Sequence, residues 1–193
     1  MAAEKIGFAV IGAGLVGPTH AEFVSQAKGA ELKVVCDLRE DRGRPLAERY
    51  GADWVADYRA VMKRDDIQVV DVCLPTALHL EVASAAAEAG KHVIVEKPIE
   101  LNLDRAHALI ATCKRHGVAP GEPSAEERSL PGADCGTAVG HFRQIQDMVH
   151  AIREKRDPIV KGEDALPSLA VIQAIYESER SGKPVDVRQT VIA

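Results

Sequence analysis

Residues 5–17 read Lys5-Ile-Gly-Phe-Ala-Val-Ile-Gly-Ala-Gly-Leu-Val-Gly17, or KIGFAVIGAGLVG. Ile6, Phe8, Val10 and Ile11 make a short apolar run that stops at Gly12. Gly12, Gly14 and Gly17 then form G-x-G-x-x-G between a strand-like and a helix-like segment, the context this motif requires. Gly12 permits a tight turn, Gly14 lets a pyrophosphate approach the backbone, and Gly17 lets helix and strand pack closely. Leu15 and Val16 complete the loop, whose N–H groups and helix dipole suit a phosphate anion. A second apolar run, Leu32–Cys36, ends at Asp37. An acidic residue roughly 20 positions past the glycines can bond the ribose 2′-OH of NAD. The competing reading is a plain strand–turn–helix followed by an unrelated surface Asp.

Onward from the loop, strands and helices alternate. Residues 15–28 read as a helix with Pro18 in its first turn, where a missing N–H does no harm. Arg39–Tyr50 is a helix ending at Gly51, and Pro45 is expected to delay or kink its start. Trp54-Val55 is a short strand and Tyr58–Lys63 a short helix. Gln68–Leu74 is an almost continuously apolar strand, as in a parallel sheet covered on both faces. Ala77–Ala89 is a helix closed by Gly90. His92–Val95 is a strand running into Glu96-Lys97-Pro98. Asn102 caps a helix to about His116, and Val118-Ala119 reads as a last short strand. This alternation predicts a doubly wound parallel α/β sheet. Ligands in such sheets lie beyond the carboxyl ends of the strands. The Gly12–Gly17 loop, Asp37, Leu74-Pro75-Thr76 and Glu96-Lys97-Pro98 should therefore converge on one crevice.

From Pro120 to Gly140 the texture changes to a loop with Pro120, Pro123, Pro131 and four glycines. Phe142, Ile145, Met148, Val149 and Ile152 then recur at helical spacing over residues 141–155. Ala165–Ser181 is a second helix, and Val185–Val187 reads as a short strand. The domain reading is 1–119 for the dinucleotide-binding unit, 120–140 for a linker, and 141–193 for closing helices and a short strand.

Composition narrows the classes. A net charge of −5 argues against a phosphate-backbone partner. Aromatics at 4% leave too few side chains for a base-stacking surface. No apolar run approaches the roughly 18 residues that span a bilayer, and the start reads as a strand rather than a signal peptide. The spacing of Cys36, Cys73, Cys113 and Cys135 contains no C-x-x-C, so free buried thiols and a reducing cytoplasm are expected.

Three segments carry a family resemblance: GAGLVGPTH (residues 12–20), LPTALHLEVASAAAEAGKHVIVEKPI (74–99) and residues 141–187. Together they resemble the Gfo/Idh/MocA oxidoreductases, such as glucose-fructose oxidoreductase and inositol dehydrogenase. The resemblance implies NAD, with NADP as the alternative, bound through Gly12, Gly14, Leu15, Val16, Gly17 and Asp37. It implies Leu74, Pro75, Thr76, His79 and Glu96 near the cofactor, and Lys97 of the E-K-P motif at the nicotinamide and substrate end. By its chemistry Lys97 can orient a substrate hydroxyl or assist its proton transfer; the competing reading is a solvated charge after a strand. Pro98 is expected to turn Lys97 inward. His79 is either near the cofactor or an exposed helix residue. His20, His107 and His116 read as helix-surface residues, and His141 or His150 as general base is a minor reading. No metal site is expected.

Family members carry a large open substrate-binding sheet between the last Rossmann strand and the closing helices. Here only the 120–140 linker stands in its place, so that sheet is expected to be absent. Two readings follow: an oxidoreductase passing hydride between a nicotinamide cofactor and a sugar- or polyol-like alcohol, or a dinucleotide-binding module without turnover. The partners expected are the cofactor, such an alcohol if the chain is active, and a second copy in a homo-oligomer.

Overall fold

The computed structural model describes residues 4–118, 120–121 and 138–187. Residues 122–137, with Asp134 and Cys135, lie outside them, as does Ala119. The order is β1 (Ile6–Ile11), α1 (Gly17–Gln26), β2 (Ala30–Cys36), α2 (Glu40–Tyr50), β3 (Asp53–Val55), α3 (Tyr58–Met62), β4 (Val69–Val72), α4 (His79–Glu88), β5 (His92–Val95), α5 (Leu103–Arg115), β6 (Pro120–Gly121), α6 (Ala138–Glu154) and α7 (Leu166–Ser181). The sheet is parallel, in the order β3-β2-β1-β4-β5-β6. The order reverses between β1 and β4, the switch point where such sheets open a crevice.

Alternate residues of each strand feed opposite faces. Ala9, Ile11, Val70, Val72, Val93 and Val95 pack with α3, α4, α5 and α7. Phe8, Val10, Val35, Val69 and Ile94 pack with α1, α2 and α6. Both faces are covered, so the central strands are largely apolar, with Asp71 of β4 the buried exception. The closing helices thus divide between the two faces. On one, Ile145, Met148 and Val149 of α6 are fully buried against the face that carries α1. Burial of each contributes about 1.5–3 kcal/mol, an upper estimate, toward ordering that helix. Gln146 exchanges bonds with the backbone of Lys28 (2.8 and 3.2 Å), and Phe142 meets Phe23 edge-on. On the other face, Leu166, Leu169 and Ala170 of α7 join Leu109 and Ile110.

Local chemistry sets most boundaries. Asn102 caps α5 by accepting from the N–H of Arg105 (3.0 Å). Gly51 and Gly182 close α2 and α7 in the left-handed conformation. Three expectations fail. Pro45 lies inside α2 without delaying its start, because Glu40 and Asp41 already suit the helix N-terminus. The last strand among the described residues is Pro120–Gly121; Val118 lies outside it, buried in the core, and Ala119 lies outside the described residues. Residues 185–187 form no strand: Pro184 supplies no donor, and Val187 packs on the core.

Cys36, Cys73 and Cys113 are free and buried. No helix among the described residues is long and apolar enough to cross a membrane.

Candidate functional site

The loop after β1 lies at the switch point. Gly12 has φ +105°, and its N–H donates to the Cys36 carbonyl (2.8 Å). A Cβ on Gly12 would sit 2.5 Å from the carbonyl oxygen of Cys73, beyond β4. A Cβ on Gly17 would run into the Gly12 carbonyl, so the start of α1 rests directly on the loop. At Gly14 a Cβ would meet nothing within 4 Å. The loop therefore has two crowded glycines and one facing open space.

Around that open space the backbone offers donors. Among the described residues, the N–H groups of Gly14, Leu15 and Val16 have no acceptor. No side chain caps α1, and its first turn holds no acidic residue. Among the described residues nothing competes with an external anion for this helix terminus. Leu15 is 97% exposed on the same loop.

Asp37 follows β2 beside this loop. Its Oδ2 accepts from the Ala13 N–H (2.7 Å) and its Oδ1 from the Arg39 N–H (2.8 Å). A carboxylate has roughly four acceptor positions, so sites remain for hydroxyl donors. The Arg39 guanidinium pairs with Asp41 (2.6 Å). The indole N–H of Trp54 donates to the Asp37 carbonyl (3.1 Å).

The far wall comes from β4 and β5. Leu74, Pro75 and Thr76 leave β4 through a 3₁₀ turn over Thr76–Leu78. His79, expected near the cofactor or exposed, is not exposed: it is 1% accessible. Its Nε2 lies 2.8 Å from the Leu74 carbonyl and its Nδ1 3.2 Å from that of Ile99, bracing the two loops. Lys97 is joined to Pro98 by a cis peptide. Its side chain is 59% exposed, with Nζ 3.6 Å from Glu96 Oε2.

Glu96 is the larger surprise. Its carboxylate is buried, and Oε1 meets His20 Nε2 (3.0 Å) and His141 Nε2 (2.8 Å), while Oε2 accepts from the Lys97 N–H (3.0 Å). His20, read as a surface residue, is instead 1% exposed, and its Nδ1 bonds Asp71 Oδ2 (2.8 Å). Burial opposes the imidazolium, but the Asp71 charge and hydrogen bond hold the His20 pKa well above its ordinary value. Burial likewise opposes the Glu96 carboxylate, and the two histidines more than offset it, drawing its pKa down. Burial and then Asp71 push the Cys73 thiol up to about 12. The signal for these residues was present. His20 falls with Gly17, Ala21 and Val24 at the i, i+3, i+4 spacing of a buried stripe. Asp71 sits inside the apolar VVDVC run, where a charge requires a partner.

Comparison with known proteins gives this geometry a lineage. The family model described as "Oxidoreductase family, NAD-binding Rossmann fold" matches residues 6–121. The chain belongs to the Gfo/Idh/MocA family. The model for the "C-terminal alpha/beta domain" of this Gfo/Idh/MocA family matches residues 106–187. Among the described residues that second match holds helices and the two-residue strand β6, not a large sheet. Myo-inositol 2-dehydrogenase of Thermotoga maritima is 36% identical over 110 residues, covering 56% of this chain and 33% of that one. GenD2 from gentamicin A biosynthesis, solved with NAD, superposes with a TM-score of 0.61 at 33% identity over 63% of this chain and 35% of that one. KijD10, a 3-ketoreductase from Actinomadura kijaniata solved with NADP, gives 0.60 at 31% identity over 62% and 39%. The chain spans about a third of the length of the curated relatives it matches. It carries the family's NAD-binding Rossmann fold, and its structural neighbours hold NAD or NADP.

Proposed function

We propose that the chain binds NAD in the β1/β4 crevice and serves hydride transfer to or from a sugar- or polyol-like alcohol. The observation that carries this reading is the open face of Gly14 beside three unengaged N–H groups at an uncapped helix start. In this reading those groups hold the pyrophosphate, and Asp37 takes the ribose hydroxyls. NAD is preferred because Asp37 repels a 2′-phosphate while Arg39 is held by Asp41. The Leu74-Pro75-Thr76 turn, braced by His79, lines the nicotinamide side. Hydride chemistry is supplied by the nicotinamide of a bound dinucleotide. Lys97 Nζ, kept near Glu96, orients the substrate hydroxyl and assists its proton transfer. The inositol dehydrogenase relative supports a polyol as substrate class.

A second reading, a dinucleotide-binding module without turnover, is favoured by the extent of the match, which covers only about a third of each relative. In both readings residues 1–119 form the cofactor unit, 120–140 a linker and 141–193 the closing segment, and the buried free thiols support a cytoplasmic setting. A polyol and sugar panel with NAD separates the two. NADH production that Lys97→Ala reduces at least 10-fold supports the enzyme. Cofactor binding without turnover on any member supports the module.

A further inference from the structure

The buried cluster beneath Lys97 holds more than a salt bridge. His20, Glu96 and His141 come from α1, the end of β5 and α6, and their three donor atoms lie within 4.8 Å of one another. We propose that His20 Nε2, Glu96 Oε1 and His141 Nε2 form a site for one borderline divalent transition ion, with zinc as its representative.

Four observations point this way. First, both Nε2 atoms converge on the same carboxylate oxygen, at 3.0 and 2.8 Å. Without an ion this oxygen requires a donor from each ring, which places two cationic or polarised rings 4.8 Å apart in a buried space. A single dication between neutral imidazoles gives the same balance against Asp71 and Glu96 without the like-charge contact. Second, the set is two imidazoles and one carboxylate, a recurring three-ligand set that leaves a fourth position open. Third, Asp71 binds the other nitrogen of His20 at 2.8 Å. That carboxylate–histidine arrangement fixes the ring so that Nε2 faces the ion. Fourth, Gln144 lies one turn from His141 on the same buried stripe of α6. It is 9% exposed, and its Oε1 and Nε2 have no partner among the described residues. A buried amide with a free donor and acceptor, one turn from a ligand, is a polar group that an ordered water would serve.

The distances also permit it. Tetrahedral zinc bonded at about 2.0–2.1 Å separates its ligand atoms by roughly 3.3 Å, so the two close contacts open by a few tenths of an ångström while the two Nε2 atoms, within 4.8 Å of each other, settle at that same spacing. The ion would replace the protons between these atoms. It would staple α6, in the C-terminal family match, to α1 and β5 of the Rossmann match. The inference does not rest on catalysis or on cofactor binding.

The test uses the full chain, stripped with EDTA, desalted and titrated with Co²⁺ and then Zn²⁺. Expected are one Co²⁺ per chain with the intense visible absorption of four-coordination, displacement by one Zn²⁺, and a higher Tm with zinc. Asp71→Asn, which keeps the three ligands, should weaken binding about 10–100-fold; His141→Ala should abolish it, and His150→Ala on the exposed side of α6 should leave it intact. A wild-type chain that is folded by circular dichroism yet binds no stoichiometric ion overturns the proposal. So does a six-coordinate cobalt spectrum, or binding lost in His150→Ala.

Discussion

Gly14 and Gly12 sit two residues apart and do opposite jobs. Gly12 is required by the fold: its φ is +105°, and a side chain would press on the Cys73 carbonyl. Gly14 meets nothing, so a side chain there costs the fold little and occupies only the space in front of the free N–H groups. Gly14→Val should therefore keep the wild-type circular dichroism and Tm within a few degrees while losing NADH binding at least 100-fold. A folded Gly14→Val chain of normal affinity would remove the pyrophosphate from this loop. Asp37→Ala should weaken NADH binding about 10-fold, the loss of a charged hydrogen bond worth roughly 1.5 kcal/mol, and narrow the gap to NADPH; an unchanged ratio would refute the ribose assignment. The glycine spacing and Asp37 were legible because each answers to a backbone constraint visible in one stretch. His20 was not legible as a core residue because a polar side chain was equated with a surface one. It lies at i, i+3, i+4 spacing with buried neighbours, and the partners that justify its burial, Asp71 of β4 and Glu96 just past β5, are 51 and 76 residues away.

Among the elements, α5 shows how a loop of this crevice is held. Glu100 is fully buried just past the E-K-P loop, and Arg105 of α5 grips its two oxygens at 2.7 and 2.9 Å. The N–H groups of Leu80 and Leu101 bond the same carboxylate. One carboxylate thus fastens α4, α5 and the loop after β5. Burial opposes its charge, and the Arg105 hydrogen bonds followed by the backbone donors hold its pKa below the usual range. Arg105→Ala should cost about 2–3 kcal/mol, measured by urea unfolding, because the buried carboxylate loses its cation. A loss under about 0.5 kcal/mol would mean that the backbone donors suffice. Element types were largely legible: β1, β2, β4, β5 and the long helices answer to period and caps. The short ends were not. Val185–Val187 looked like a strand by composition, but Pro184 and the core contact of Val187 decided otherwise.

For the whole molecule, the closing helices do not stand apart. One covers the α1 face of the sheet through Ile145 and Met148, the other the α5 face through Leu169, so the Rossmann core is sandwiched by its own C-terminal segment. The sequence pattern announced both amphipathic helices but not which face each would take, since helical period is blind to the partner. The central claim is that this assembly binds NAD at the Gly12–Gly17 loop. The chain has a single tryptophan, and its indole donates to the carbonyl of Asp37, whose carboxylate holds the Ala13 N–H of that loop. Trp54 emission is therefore a local reporter. The deciding measurement is a titration of the chain with NADH and NADPH, following Trp54 quenching and energy transfer to the reduced nicotinamide. The account predicts saturable 1:1 binding in the micromolar range, tighter for NADH. A folded chain whose Trp54 emission is unchanged by either nucleotide at millimolar concentration would contradict it.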